Sequence, residues 1–298
     1  MRRPKARDLE RRMGYFRPME SSRSERLLEK AIVATGVSKW IVRPLVWISG
    51  LRRLEMLYSR VHMLHGENLS APEFCEAALK ILNITYEFPN EQIEKLRQIK
   101  GPLLLTANHP FGAIDALVLT VLASRLQRKF HLVANDILTA VPEFTPILIP
   151  VDIRDEGPRS TRNLRELRKL LKLLDSGDAA ILFPAGEVAS FSKWTSRTAV
   201  ELPWNAHLGR IVERSRATVV PIFFAGRNSD AFQYAGLLFR PLRIFFLARE
   251  ILRGQYQIRF KIGAPISFAE SGHFLNAAER AAFYRSRMQE LSLGMELG

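Results

Sequence analysis

The chain has 298 residues, 47% of them hydrophobic and 25% charged, with 44 basic against 30 acidic side chains and a formal net charge of +14. This ordinary apolar share excludes a disordered, collagen-like or low-complexity protein, and the single cysteine, Cys75, excludes an internal disulfide and a cysteine-rich zinc site. The charge excess calls for an anionic partner: nucleic acid, an anionic membrane or an acidic protein.

The first seventeen residues hold seven basic side chains and two acidic ones. They form a basic arm over residues 1–20 that no apolar signal stretch follows directly. Residues 31–51 have the length of a membrane span but contain Lys39, Arg43 and Pro44, whereas a spanning helix needs roughly 18 or more mostly uncharged residues. The stretch reads either as a helix pair on a membrane surface, with Pro44 opening its second part, or as a buried helical hairpin. Helical spacing covers residues 22–34, 42–62, 72–82 and 91–99, the third opened by Ser70 ahead of Pro72. Residues 21–99 are thus expected to form a helical, membrane-apposed appendage.

Beyond residue 100 short apolar runs, at 102–108, 130–134, 147–151, 179–184, 218–224 and 257–263, are separated by helical windows at 116–127, 161–174, 208–214 and 241–253. Strands alternating with helices predict an α/β domain over residues 100–270, its mostly parallel sheet flanked by helices, with a C-terminal helix in 271–298. In such sheets, sites gather where strands end and loops begin.

At the end of the first run stands Asn108-His109-Pro110-Phe111-Gly112-Ala113-Ile114-Asp115, leading into an apolar helix. A Pro and Gly turn can fold Asp115 back onto one imidazole nitrogen of His109 and leave the other as a base facing the cleft. Spacing alone favours a loop histidine and a helix-capping aspartate. The run ending at Phe183-Pro184-Ala185-Gly186-Glu187 delivers a second carboxylate, with Ser190, Lys193 and Arg197 following. The remaining histidines show no metal-ligand spacing, and Cys75, in a helical window, reads as a core or surface thiol. Trp40, Trp47, Trp194 and Trp204 fit either a lipid headgroup interface or core packing.

These residues resemble the glycerolipid acyltransferases, the family that includes lysophosphatidic-acid acyltransferase. Asn108-His109 with Asp115 resembles the family's first block with one residue extra, Arg154 its second, Phe183-Pro184 with Gly186 its third and Val220-Pro221-Ile222 its fourth. Glu187 follows the glycine instead of preceding it, and Val188 and Ala189 stand where a threonine and an arginine are usual. Together with Arg227-Asn228-Ser229 and Arg249-Glu250, these departures resemble the hemolysin-like branch. The resemblance implies a glycerolipid acyltransferase-type fold and an O-acyltransferase that moves a fatty acyl chain from acyl-CoA or acyl carrier protein to a lysolipid hydroxyl. His109 would be the base and Asp115 its orienting partner, with no cofactor or metal and no covalent acyl-enzyme. Glu187, Gly186, Arg154, Arg159, Arg162 and Arg227 would contact substrate, and backbone N–H groups around Gly112 or Gly186 would hold the oxyanion.

Lysophosphatidic acid or another lysophospholipid is the first acceptor implied. The alternatives are a lyso-ornithine or other lyso-aminolipid, or a non-catalytic membrane adaptor that keeps the fold. Six basic residues between Arg240 and Lys261, interleaved with Phe and Leu, mark a core helix with snorkelling arginines or a helix dipping into anionic lipid. No nucleic-acid-binding pattern is present. The charge therefore points to the cytoplasmic face of an anionic membrane, in a peripheral or monotopic arrangement, and to an acidic acyl carrier protein.

Overall fold

The computed structural model describes residues 50–151, 161–238 and 242–295. The basic arm, the helical stretch at 22–34, most of the 31–51 stretch, Arg154, Arg159 and Arg240 lie outside the described residues.

Three helices, α1 (Leu51–His65), α2 (Ala71–Ile81) and α3 (Asn90–Arg97), lead into β1 (Leu103–Ala107) and α4 (Ala113–Ser124). The chain continues through β2 (Phe130–Asn135), β3 (Leu148–Val151), α5 (Thr161–Asp175), β4 (Ala179–Leu182), α6 (Ala206–Ser215) and β5 (Thr218–Ala225). It ends with α7 (Asp230–Leu238), α8 (Leu242–Arg253), β6 (Arg259–Ile262), the short α9 (Phe268–Ser271) and α10 (Ala277–Glu290). The start of α2 follows from its sequence, because the Ser70 backbone N–H and hydroxyl both donate to the Glu73 carboxylate, at 2.9 and 2.6 Å.

The strands form one six-stranded sheet in the order β3-β2-β4-β1-β5-β6. Strands β1 to β5 pair in parallel and β6 runs antiparallel on the edge. All five residues of β1 are buried. A central parallel strand is covered on both faces and therefore reads as an unbroken apolar run, without alternation.

Alternate residues of β1 supply two cores. Leu103 and Leu105 face the layer holding α2 and α4, with Phe74, Leu79, Val118 and Leu122. Leu104 faces the layer of α6 and α10, with Trp204, Leu208 and Tyr284. Each fully buried leucine contributes about 1.5–3 kcal/mol. The helices ahead of the sheet are integral to the first core, since Val61, Cys75, Ala78, Ile93 and Leu96 are buried in it. Their amphipathic spacing fits an appendage on a lipid surface equally well, and only the packing partner distinguishes the two. Helix α4 is buried along almost its whole length, which explains its lack of a polar face. Among the described residues no helix is long and apolar enough to cross a membrane.

Because β1 lies between β4 and β5, the loops that leave the C-terminal ends of these three strands converge.

Candidate active site

The site begins with Asn108, one residue past β1. Its side-chain amide donates to the Phe224 carbonyl at 2.8 Å, and its side-chain oxygen accepts from the Phe224 N–H at 2.7 Å. The side chain thereby continues the β1–β5 ladder after the backbone has turned away, and it fixes the direction in which the next residue leaves the sheet.

That residue is His109. Its Nδ1 lies 3.1 Å from Asp115 Oδ2, and the same oxygen accepts the N–H groups of Phe111 at 2.9 Å and Gly112 at 3.0 Å. The carboxylate thus closes the turn over itself, and as an acceptor it fixes the Nδ1–H tautomer of His109, leaving Nε2 unprotonated. Asp115 is fully buried and its Oδ1 has no hydrogen-bond partner. Burial pushes the Asp115 carboxyl above its ordinary value, against the downward pull of His109 and of the two N–H groups. The imidazole is 18% exposed and stacks on Phe183, with centroids 4.0 Å apart.

Two glycines permit this close packing. Gly112 has φ +76°, and a Cβ there would lie 2.8 Å from Leu247 Cδ1. Gly226, after β5, has φ +115°, and its Cβ would meet Phe111 Cζ at 2.6 Å. Both positions are open only to a residue without a side chain.

The loop after β4 is bound to the β1 loop by the Ala189 N–H, which donates to the His109 carbonyl at 2.9 Å. Gln233 on α7, fully buried, accepts from the Phe191 N–H at 3.0 Å and holds the loop from the other side. Gly186 sits in a turn with its N–H on the Phe183 carbonyl at 2.9 Å. The N–H groups of Gly112 and Gly186 are therefore both engaged within the protein. Glu187 is bound by Arg243 on α8, at 2.9 Å from Nη2, while Nη1 of the same arginine donates to the Val188 carbonyl at 3.2 Å.

The arginines distribute unevenly. Arg227 stays local, on Asp230 at 2.5 Å and over the Phe191 ring at 5.2 Å. Arg162 lies in the first turn of α5. Helix α8 packs inward through Ala248 and Ile251. Its Glu250 accepts from the Ser229 hydroxyl and N–H, at 2.5 and 2.9 Å, and from Arg253 at 3.1 Å. Trp204 is buried, whereas Trp194 is exposed and stacks on Tyr234. Cys75 is buried in the first core, where desolvation pushes its thiol far above the ordinary value.

Several members of the site carry no motif and escape the sequence. Arg243 is one, Tyr256 beside Phe111 at 5.9 Å is another, and Glu201 is the third. Glu201 is half-buried, accepts from Trp204 Nε1 at 3.0 Å and faces the His109 backbone N–H and the charge of Asp115. A carboxylate three residues before a tryptophan gives no signal by itself, because what brings it to His109 is the packing of a distant segment.

Residues 53–294 match the model of a protein family described as Acyltransferase. Two curated relatives are similar over most of their length. The lyso-glycine lipid O-acyltransferase of Phocaeicola vulgatus is 26% identical over 240 residues, covering 78% of this chain and 82% of that protein. The lyso-glycine lipid O-acyltransferase of Bacteroides thetaiotaomicron is 25% identical over 227 residues, covering 74% of this chain and 79% of that protein.

Proposed function

The chain belongs to the acyltransferase family, and on that premise we propose that it transfers a fatty acyl chain from acyl-CoA or acyl carrier protein to the hydroxyl of a lyso-aminolipid at the cytoplasmic face of a membrane. The observation that carries this reading is the His109–Asp115 pair at the mouth of three converging loops. His109 Nε2 takes the proton of the acceptor hydroxyl as its oxygen attacks the thioester carbonyl. Asp115 stabilises the imidazolium that forms. The tetrahedral intermediate then expels the thiolate, and His109 returns its proton to the departing sulfur. General-base catalysis of this kind contributes about 10² to 10⁴ in rate.

A lyso-aminolipid takes precedence over lysophosphatidic acid for two reasons. Both curated relatives carry the name of an acyltransferase for a lyso-glycine lipid. In addition, Val188 and Ala189 occupy the place of the arginine that a phosphate would use, while Arg227 and Arg243 are held by carboxylates. The inverted Gly186-Glu187 order resembles that of the hemolysin-like branch, and this resemblance supports the reading. Docking to an anionic surface through the basic excess brings the site to its lipid substrate.

The test is a mass-spectrometric assay of purified wild type and His109→Ala against lyso-glycine lipid, lyso-ornithine lipid and lysophosphatidic acid, with each donor. Transfer to an aminolipid by wild type, reduced at least 100-fold in His109→Ala, supports the reading. Preferential transfer to lysophosphatidic acid overturns the choice of acceptor. A lack of transfer to any acceptor overturns the activity and leaves a non-catalytic adaptor.

A further inference from the structure

The segment between the β4 loop and α6 is fixed at several points. Val200 pairs with Ser190, through N–H donors at 2.8 and 3.1 Å, and the Asn205 N–H donates to the Pro184 carbonyl at 3.0 Å. Arg285, on α10, donates from Nη2 to the Glu201 carbonyl oxygen at 3.1 Å. Trp204 is buried in the core that lies on the face of the sheet away from α4 and Asp115. Glu201, three residues earlier, faces the His109 backbone N–H.

Its carboxyl is incompletely satisfied. Oε2 accepts from Trp204 Nε1 at 3.0 Å, and Oε1 is buried without a hydrogen-bond partner. The Trp204 bond accounts for Oε2, whereas the packing of the segment leaves Oε1 without a hydrogen-bond partner, a cost to folding. An alanine or leucine would remove that cost but leave the buried Trp204 Nε1 without its acceptor, whereas a glutamine keeps it. Beyond its bond to Trp204, the carboxyl faces the His109 backbone N–H and the Asp115 carboxylate, with the Arg285 guanidinium as the neighbouring cation.

We propose that Glu201 is a positioning residue of the acyl-transfer centre, a second carboxyl that faces the His109 backbone and places a negative charge beside the His109–Asp115 pair. This role rests on the acyl-transfer reading. Desolvation, reinforced by the Asp115 charge, pushes the Glu201 carboxyl up to about 7, although Trp204, Arg285 and the His109 N–H pull it down. Glu201 therefore changes charge close to neutral pH, unlike an ordinary surface glutamate. As the imidazolium forms during proton abstraction, an ionised Glu201 adds to the stabilisation that Asp115 provides, and a neutral one withdraws it.

The test uses the full chain as wild type, Glu201→Gln and Trp204→Phe. Glu201→Gln keeps an acceptor for Trp204 and removes the charge. Trp204→Phe keeps the charge and removes the donor that lowers it. Carbon-13 NMR of labelled glutamate carboxyls, which needs no substrate, should show one signal titrating near pH 7 in wild type. That signal should vanish in Glu201→Gln and titrate at higher pH in Trp204→Phe. In the acyl-transfer assay, Glu201→Gln should lose on the order of tenfold in kcat at pH 8.5, little at pH 6, and leave KM within about twofold. Trp204→Phe should shift the same limb of the pH profile upward and reach the wild-type plateau.

A Glu201 signal in the ordinary carboxylate range overturns the proposal. So does a Glu201→Gln profile that superposes on that of wild type while transfer proceeds. If Glu201→Gln fails to fold, an unmoved profile in Trp204→Phe overturns it instead. Absence of transfer in all three proteins overturns the activity, and the positioning role falls with it.

Discussion

Removal of the Asn108 side chain provides the most direct test of how the site is held. Two backbone groups of Phe224, its N–H and its carbonyl, depend on that side chain, at 2.7 and 2.8 Å, and Phe224 is 1% exposed. In Asn108→Ala neither group gains another partner, and water does not reach them. An unsatisfied buried backbone group costs roughly 1 to 3 kcal/mol, so the two together cost about 4 kcal/mol. For a domain of this size that lowers Tm by roughly 10 °C. Asn108→Asp separates the two bonds. The introduced carboxylate still accepts the Phe224 N–H but opposes the Phe224 carbonyl oxygen. Its folded-state pKa is therefore raised above the unfolded value of about 3.9. The native state then binds the proton more tightly, and the loss of stability present at pH 7.5 shrinks as pH falls through the raised value. Urea denaturation of wild type and both variants at pH 7.5 and 5 measures each quantity. A loss below about 1 kcal/mol in Asn108→Ala, or an Asn108→Asp variant as stable as wild type at pH 7.5, would refute the ladder role.

Two other perturbations bear on the turn and on the second carboxyl. Gly112→Ala places a Cβ 2.8 Å from Leu247 Cδ1 at a φ of +76°. It should destabilise by about 1–3 kcal/mol and reduce acyl transfer at least tenfold, and thermal melts with initial rates check both; a fully active variant with unchanged Tm would contradict the geometry. Glu201 is raised from 4.5 to about 7, so the native state holds its proton more tightly than the unfolded chain, and wild-type stability declines as pH rises between those values. Glu201→Gln lacks that decline and should be up to about 3 kcal/mol more stable than wild type at pH 8, with no difference at pH 4. Equal differences at the two pH values by denaturant titration would oppose this.

His109 and Asp115 were legible in the sequence because everything that joins them is local. A Pro and Gly turn followed by the first turn of a helix returns a carboxylate to the histidine six positions back, and the three donors on Asp115 Oδ2 all come from residues 109–112. The parallel sheet was legible for a related reason, since burial of a strand on both faces writes itself into one short apolar run. Asn108 shows where reading stops. Its presence beside His109 is visible in the motif, but its bonds reach β5 at Phe224, and no local pattern encodes a partner there. Arg227 was a substrate-contact candidate through the family resemblance, and only the structure shows that it pairs with Asp230.

What the sequence by itself determined is the fold class, the order of the elements, and the chemistry that a single loop can assemble. Tertiary structure alone decided that α1 to α3 share the core, that Arg243 occupies Glu187, and that Glu201 comes to rest beside His109. Each of these depends on contacts between segments far apart in the chain. Packing of whole layers sets such contacts, and a residue's own neighbours in sequence carry no trace of them.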